Sequence, residues 1–273
     1  MALFGSAFVV GKLVLDANVP PLLFGALRLL IVFICLIPFW KFEIPPKKYF
    51  KSLITFSLSM GVGVTMFMYL AIDESAIVSP IIIGAPLAIP FGIIFSSMLL
   101  KESISRKKWF FVVSAFIGII IVGFDPKIVD NIFALVLTAL MAFFYGISNV
   151  ISRQINNIRV VTQTSIMSLI GLIILFLLSY FFEDHMIDNI KNIRFDVWLL
   201  IFHAGLIVSV IAHMSLFYLY KFYTIGTVFP YYSLFPIFGI IQTLIIFQEI
   251  PTLITILGGI IVISSVFMLQ KIR

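Results

Sequence analysis

The stretch PYYSLFPIFGIIQTLIIFQE, Pro230 to Glu249, decides the reading of this chain. Nearly every residue in it is apolar, Pro230 and Pro236 stand six apart, Gly239 follows, and the only acid closes the run. A helix facing water would show a polar side. A central strand would not hold two prolines. A membrane helix can hold Pro and Gly where neighbouring helices or cavity water take up the freed backbone groups. The stretch therefore reads as a bent or broken transmembrane helix beside a cavity.

Composition extends that reading to the whole chain. Of 273 residues, 62% are hydrophobic and 11% charged, and mean hydropathy is +1.20. Soluble domains carry roughly 25% charge, so the chain is a polytopic membrane protein with little left over for a soluble domain. The net charge of +6 has meaning here through its position rather than its sum, and nucleic acid is not an expected partner. The lone Cys35 excludes an intramolecular disulfide and reads as packing or lipid-facing. The first residues lack the basic start and small-residue site of a cleavable leader.

Apolar runs of spanning length, separated by short polar breaks, fall at Met1–Leu15, Pro21–Trp40, Leu53–Ile72, Ala76–Leu100, Trp109–Phe124, Phe133–Ser152, Thr164–Phe182, Val197–Tyr220, Gly226–Phe247 and Leu253–Leu269. Cations mark alternate connections. Lys41, Lys47, Lys48 and Lys51 follow the second run; Lys101, Arg106, Lys107 and Lys108 the fourth; Arg153 and Arg159 the sixth; Lys221 the eighth; Lys271 and Arg273 the last. The other connections carry mostly acids, among them Asp73, Glu74, Asp125, Glu183, Asp184 and Asp188. The positive-inside bias then places both termini in the cytoplasm and the chain in the cell's inner membrane.

The chain also repeats itself. FGSAFVVGK, Phe4 to Lys12, aligns without gaps on YGISNVISR, Tyr145 to Arg153, and Glu102 and Glu249 close the fourth and ninth runs alike. Five helices per half, an odd number, inserts the second half upside down relative to the first. The expected fold is all-α, with ten transmembrane helices as two inverted five-helix repeats, residues 1–125 and 131–273, and a site near midplane between them. The sixth run begins well before Tyr145, whereas only three residues precede Phe4. The first helix thus reads as shortened at its start, through lost upstream residues or a late start codon, with a genuinely short helix as the alternative.

Three stretches resemble a known family. PPLLFGALRLL (Pro20–Leu30) after FGSAFVVGK, the run Pro–x–x–Ser–Leu–x–x–Pro–x–x–Gly ending at Glu249, and YGISNVISR are similar to segments of the drug/metabolite transporter superfamily, EamA branch. The resemblance covers the whole chain and implies a transporter; in look the segments are closest to exporters of amino acids and related metabolites. The fourth run departs from the family pattern, because Pro86 and Pro90 do not stand at the usual distance from Glu102, and no cavity residues are carried over there.

Several residues are costly enough to need a reason. Arg28 lies inside the second run, where a mid-membrane Arg costs roughly 2.5–3.5 kcal/mol; it is either a structural clamp or a seat for an anionic group. Its partner at the offset of Lys12 and Arg153 is Leu169, so the repeat does not demand it. Lys12 stands one turn before Asp16 and is either paired to it or part of a vestibule. Asn149 either bonds a neighbouring helix or lines the cavity, with Tyr145 and Ser148 as companions. His213 is either a bonded interior histidine or a proton-coupling group. Tyr231, Tyr232 and Ser233 lie between two prolines and either line the site where the helix breaks or pack around a kink, and Gly61, Gly63, Thr65 and Tyr69 form a stripe that is either a packing face or a cavity wall. The candidate substrate residues are accordingly Lys12, Arg28, Tyr69, Asn149, His213, Tyr231, Tyr232 and Ser233; Pro86, Pro90, Pro230, Pro236 and Gly239 shape the cavity. Glu102 and Glu249 read as loop or capping residues.

These features imply a secondary transporter of small polar metabolites, amino acids or related compounds, working across the plasma membrane by alternating access. A nucleotide-type metabolite exchanger of the same fold, or a receptor or channel-like protein, is the alternative. No metal site, cofactor or enzymatic activity is expected, since no ligand cluster, nucleophile–base pair or GxxxxGK[ST] loop occurs. The expected partners are a small-molecule substrate and the bilayer, with the chain a monomer and a dimer the alternative.

Overall fold

A computed structural model describes residues 1–43, 45–126, 132–215 and 234–272. Every regular element among them is helical. In chain order these are α1 (Ala2–Asp16) and α2 (Pro21–Leu36), then α3 (Lys47–Glu74) and α4 (Ser79–Leu100). Next come α5 (Arg106–Gly123), α6 (Ile132–Gln154) and α7 (Val160–Phe182). The short α8 (Met186–Asn192) connects to α9 (Phe195–Ser215), α10 (Phe235–Phe247) and α11 (Leu253–Lys271). Seven of the described helices are long and apolar enough to cross a membrane: α2 with its following turn, α3, α4, α6, α7, α9 and α11. Helix α5 has the length but carries Arg106, Lys107 and Lys108 in its first turn.

Where they fall among the described residues, the sequence boundaries hold within about two turns. The largest shift is at α3, which begins with a 3₁₀ turn at Lys47 rather than at Leu53; α7 begins at Val160 rather than Thr164. Its first turn is polar, yet the Gln163 amide donates to the carbonyls of Ile155 and Ile158 at 2.6 and 2.9 Å and holds the turn helical. The ninth run is described only from Leu234, so Pro230, Tyr231, Tyr232 and Ser233 lie outside the described residues. Within it, α10 starts at Phe235 with Pro236 in its first turn, where a missing N–H costs nothing.

Close approaches without a hydrophobic drive between helices need small residues, and glycines mark the crossings. Helix α1 packs on α10, α4 on α6, α2 on α7 and α5 on α11. A Cβ on Gly5 would sit 2.7 Å from the backbone N of Gly239, and one on Gly146 would sit 2.9 Å from that of Gly92. Gly118 and Gly258 are similarly opposed, each leaving under 3.0 Å to the other's carbonyl oxygen. The outer faces are apolar and exposed, as with Phe110 and Ile120 on α5, Ile245 on α10 and Ile260 on α11. An apolar belt of this kind suits lipid and not water.

The two ends of the bundle differ. At one end, cross-element carboxylates bind backbone N–H groups at helix starts. Glu249, just past α10, accepts from Val78 and Ser79 at the start of α4 at 3.0 and 2.8 Å. Glu183, just past α7, accepts from Leu22 and Leu23 at the start of α2 at 2.6 and 2.9 Å. Buried Asp125 accepts from the hydroxyls of Thr252 and Thr255 at the start of α11. A carboxylate at a helix start meets both free N–H groups and the positive end of the dipole. At the other end, the cation-rich connections α2–α3, α4–α5 and α6–α7 are linked more loosely, by half-exposed ion pairs of Arg153 with Glu102 and Arg159 with Glu43 at 3.6 and 3.3 Å.

Candidate functional site

Two adjoining cavities open from the cation-rich end. The wider one is about 630 Å³ and is lined by α4, α6, the start of α7 and the end of α11, with Glu102, Lys108, Arg153 and Asn156 at its mouth. The deeper one is about 70 Å³ and lies among Arg28, Thr65, Pro86, Tyr145, Ser148, Asn149, Ser209 and His213. Ala88, Ile89, Asn149 and Ser152 line both. The deeper chamber holds a few waters or one small polar head group, since a water needs roughly 10–15 Å³.

Local backbone breaks shape this chamber. In α4, Pro86 and Pro90 each remove a ladder bond, and Ala85–Leu87 tightens to a 3₁₀ turn between two α segments. Pro86 faces the deeper chamber, whereas buried Pro90 is absent from both linings described. Helices α3 and α9 each contain a π-helical stretch, Ser57–Val64 and His203–Ala212. Such stretches gather at functional sites. Here they supply Met60 and Ser209 to the chamber.

Arg28 is the chemical centre. It is 9% exposed. Its Nε donates to the Ser209 hydroxyl at 2.8 Å and its Nη1 to the Tyr69 hydroxyl at 2.9 Å. Tyr69 is fully buried against Phe24, with ring centroids 4.0 Å apart, so its hydroxyl is a fixed post. The Ser209 hydroxyl donates its own hydrogen bond to the carbonyl of Ala204 at 2.8 Å, leaving a lone pair for the guanidinium. Among the described residues no carboxylate pairs with Arg28.

The sequence candidates divide accordingly. Arg28, Asn149 and His213 meet at the chamber, joined by Tyr145, Ser148 and Thr65, while Tyr69 reaches it through Arg28. The His213 ring holds the Val208 carbonyl through Nδ1 at 2.9 Å and meets Phe4 edge-on at 4.8 Å, so it is both bonded and cavity-lining. Lys12 stands apart at the sealed end, tied to Asp16 at 3.1 Å and to the Ser75 carbonyl at 3.2 Å. Gly239 is a crossing point for α1 rather than a cavity wall. Gly61 and Gly63 pack against Met167 and Phe144, leaving Thr65 as the cavity member of their stripe. Sequence reasoning missed Ser209, whose only signal was a hydroxyl one turn before His213 in an apolar run. It also missed Glu102 and Arg153 as mouth residues.

The sequence pattern of the EamA-like transporter family matches residues 1–124 and 132–270. The chain belongs to the EamA-like transporter family. This EamA-like chain is 29% identical over 159 residues to an uncharacterized transporter in the sor 3'region of Acidianus ambivalens, covering 57% of this chain and 59% of that one. The matched region thus spans under two thirds of the relative. A solved crystal structure shares the fold, with a TM-score of 0.62 at 15% identity over 97% of this chain and 94% of the other. The EamA family points to a membrane transporter and away from an enzyme.

Proposed function

We propose that this EamA-family member is a secondary transporter of small polar metabolites of the amino-acid type, built as ten transmembrane helices in two inverted halves, residues 1–125 and 131–273. The observation that carries the reading is the pair of adjoining cavities, which lead from one end of the bundle to a buried polar chamber between the halves.

Paired contacts support the inverted halves. Gly5 meets Gly239 as Gly146 meets Gly92. A Cβ on Gly205 would lie 3.1 Å from the carbonyl oxygen of Arg28, as one on Gly61 would lie 2.8 Å from that of Met167. The chain leaves α4 and α10 in the left-handed conformation at Lys101 and Gln248. The next N–H, of Glu102 and of Glu249, then reaches back to Ser96 and Thr243 at 3.4 Å in both halves. In this pairing Arg28 corresponds to Met167, two residues before the Leu169 selected by sequence offset. The two family matches, on either side of residues 125–131, support the same division.

The cation-rich end faces the cytoplasm on the positive-inside argument, which makes the described conformation open inward and latched outward by Glu249, Glu183 and Asp125. Alternating access then requires the halves to rock about the chamber. Counterflow tests the function: proteoliposomes of the full chain, preloaded with amino acids, should concentrate a labelled one from outside. Absence of counterflow for every amino acid, organic acid and nucleotide tried refutes the transporter reading.

A further inference from the structure

The chamber holds a cation that no carboxylate among the described residues answers. A guanidinium has five N–H donors; Ser209 and Tyr69 take two of Arg28's. Among the described residues no protein acceptor takes the three that remain. The Nη2 atom is not sealed off without a partner, and Arg28 lines the chamber. The guanidinium therefore presents an edge to the cavity.

The rest of the path carries the same sign. Among the described lining residues of both cavities, the charged groups are Arg28, Lys108, Arg153 and Glu102, and Glu102 is already paired with Arg153. Clefts lined by one sign of charge concentrate the opposite ion. Asn149 lines both cavities, and its side-chain amide has no protein partner among the described residues. It stands ready at the junction of the wide and narrow spaces. Buried charges are normally paired, and planar guanidinium edges suit carboxylates in two-pronged contact.

We infer that the transported substrate carries a carboxylate, that this group seats on the cavity-facing edge of Arg28, and that the Asn149 amide contacts the same substrate from the junction. The inference rests on the transporter reading and names its substrate class. Tyr69 and Ser209 are positioning residues: they fix the guanidinium and leave its edge free. The chamber admits only the head group, so the side chain of the substrate lies in the wider cavity and is weakly selected.

The test uses full-length protein in proteoliposomes and the labelled amino acid that gives most counterflow, or succinate if no amino acid does. Competition is measured with the unlabelled acid, its carboxamide and its decarboxylated analogue. The acid should compete roughly 10- to 100-fold better than the other two, the loss expected when a charge-assisted contact goes. Arg28→Lys should raise KM by about tenfold or more, because an ammonium lacks the planar fork, and Arg28→Gln should erase the acid's advantage. Equal competition by acid and carboxamide overturns the inference while leaving the transporter reading intact; that comparison needs only the wild type, so it stands even if the Arg28 variants misfold. Wild-type-like KM in folded Arg28→Gln also overturns it. Lack of counterflow by any compound removes the transporter reading itself, and the inference with it.

Discussion

Two glycines facing each other across the α4–α6 crossing should respond oppositely to the same substitution. An added Cβ on Gly92 would meet the backbone of Gly146 at 3.8 Å, ordinary contact. An added Cβ on Gly146 would lie 2.7 Å from the Cβ of Phe91 and 2.9 Å from the N of Gly92. Neither is the free end of a flexible side chain, so the helices themselves must part. Gly→Ala inside a helix gains about 1 kcal/mol in propensity, which Gly92→Ala should keep. Overpacking costs about 1–3 kcal/mol, so Gly146→Ala should fall below wild type or at best match it. The gap between the variants is then about 1–3 kcal/mol, equivalent to about 2–12 °C in apparent Tm at 2–4 °C per kcal/mol. Thermal unfolding of both proteins in one detergent, followed by tryptophan fluorescence at one scan rate, reads it directly. Gly146→Ala unfolding at or above the temperature of Gly92→Ala refutes the crossing geometry.

Other expectations concern single contacts. Glu249→Gln keeps one acceptor for Val78 and Ser79 but loses the charge at the start of α4; it should cost about 1–3 kcal/mol, seen as a lower unfolding temperature. Tyr69→Phe removes the hydroxyl that holds Arg28 Nη1 while keeping the ring on Phe24. It should raise the KM of counterflow several-fold with a smaller effect on maximal rate, and an unchanged KM would separate Tyr69 from substrate binding. Arg153→Gln breaks a half-exposed pair with Glu102, which contributes about 0–1 kcal/mol. Stability should barely move, and a large drop in unfolding temperature would show that the cavity mouth is a structural brace.

Helical architecture was legible because hydropathy reports burial in lipid directly: α2, α4, α6 and α11 stand near where the apolar runs put them. Glycines and prolines could be read as backbone requirements, but which helix a glycine meets could not; Gly239 looked like a cavity hinge and instead seats Gly5. Contacts across distant parts of the chain were invisible for the same reason. Glu249 bonds residues 170 and 171 positions earlier, and Ser209 meets Arg28 across 181 positions. Arg28, Asn149 and His213 were detectable because polar groups in apolar runs are costly. Ser209 is cheap to bury, and nothing in its local sequence distinguished it from a serine bonded to its own helix.

The most direct measurement follows the reactivity of a cysteine placed at the junction of the two cavities. In a Cys35→Ser background, Asn149→Ala should diminish transport, and Asn149→Cys should react with a membrane-impermeant thiol reagent applied from the cation-rich end. If the cavities are the transport path, saturating transported substrate should slow that reaction, and a compound that is not transported should not. Reaction at the same rate with and without a substrate that the protein demonstrably moves, or access only from the opposite end, would contradict a path through this chamber.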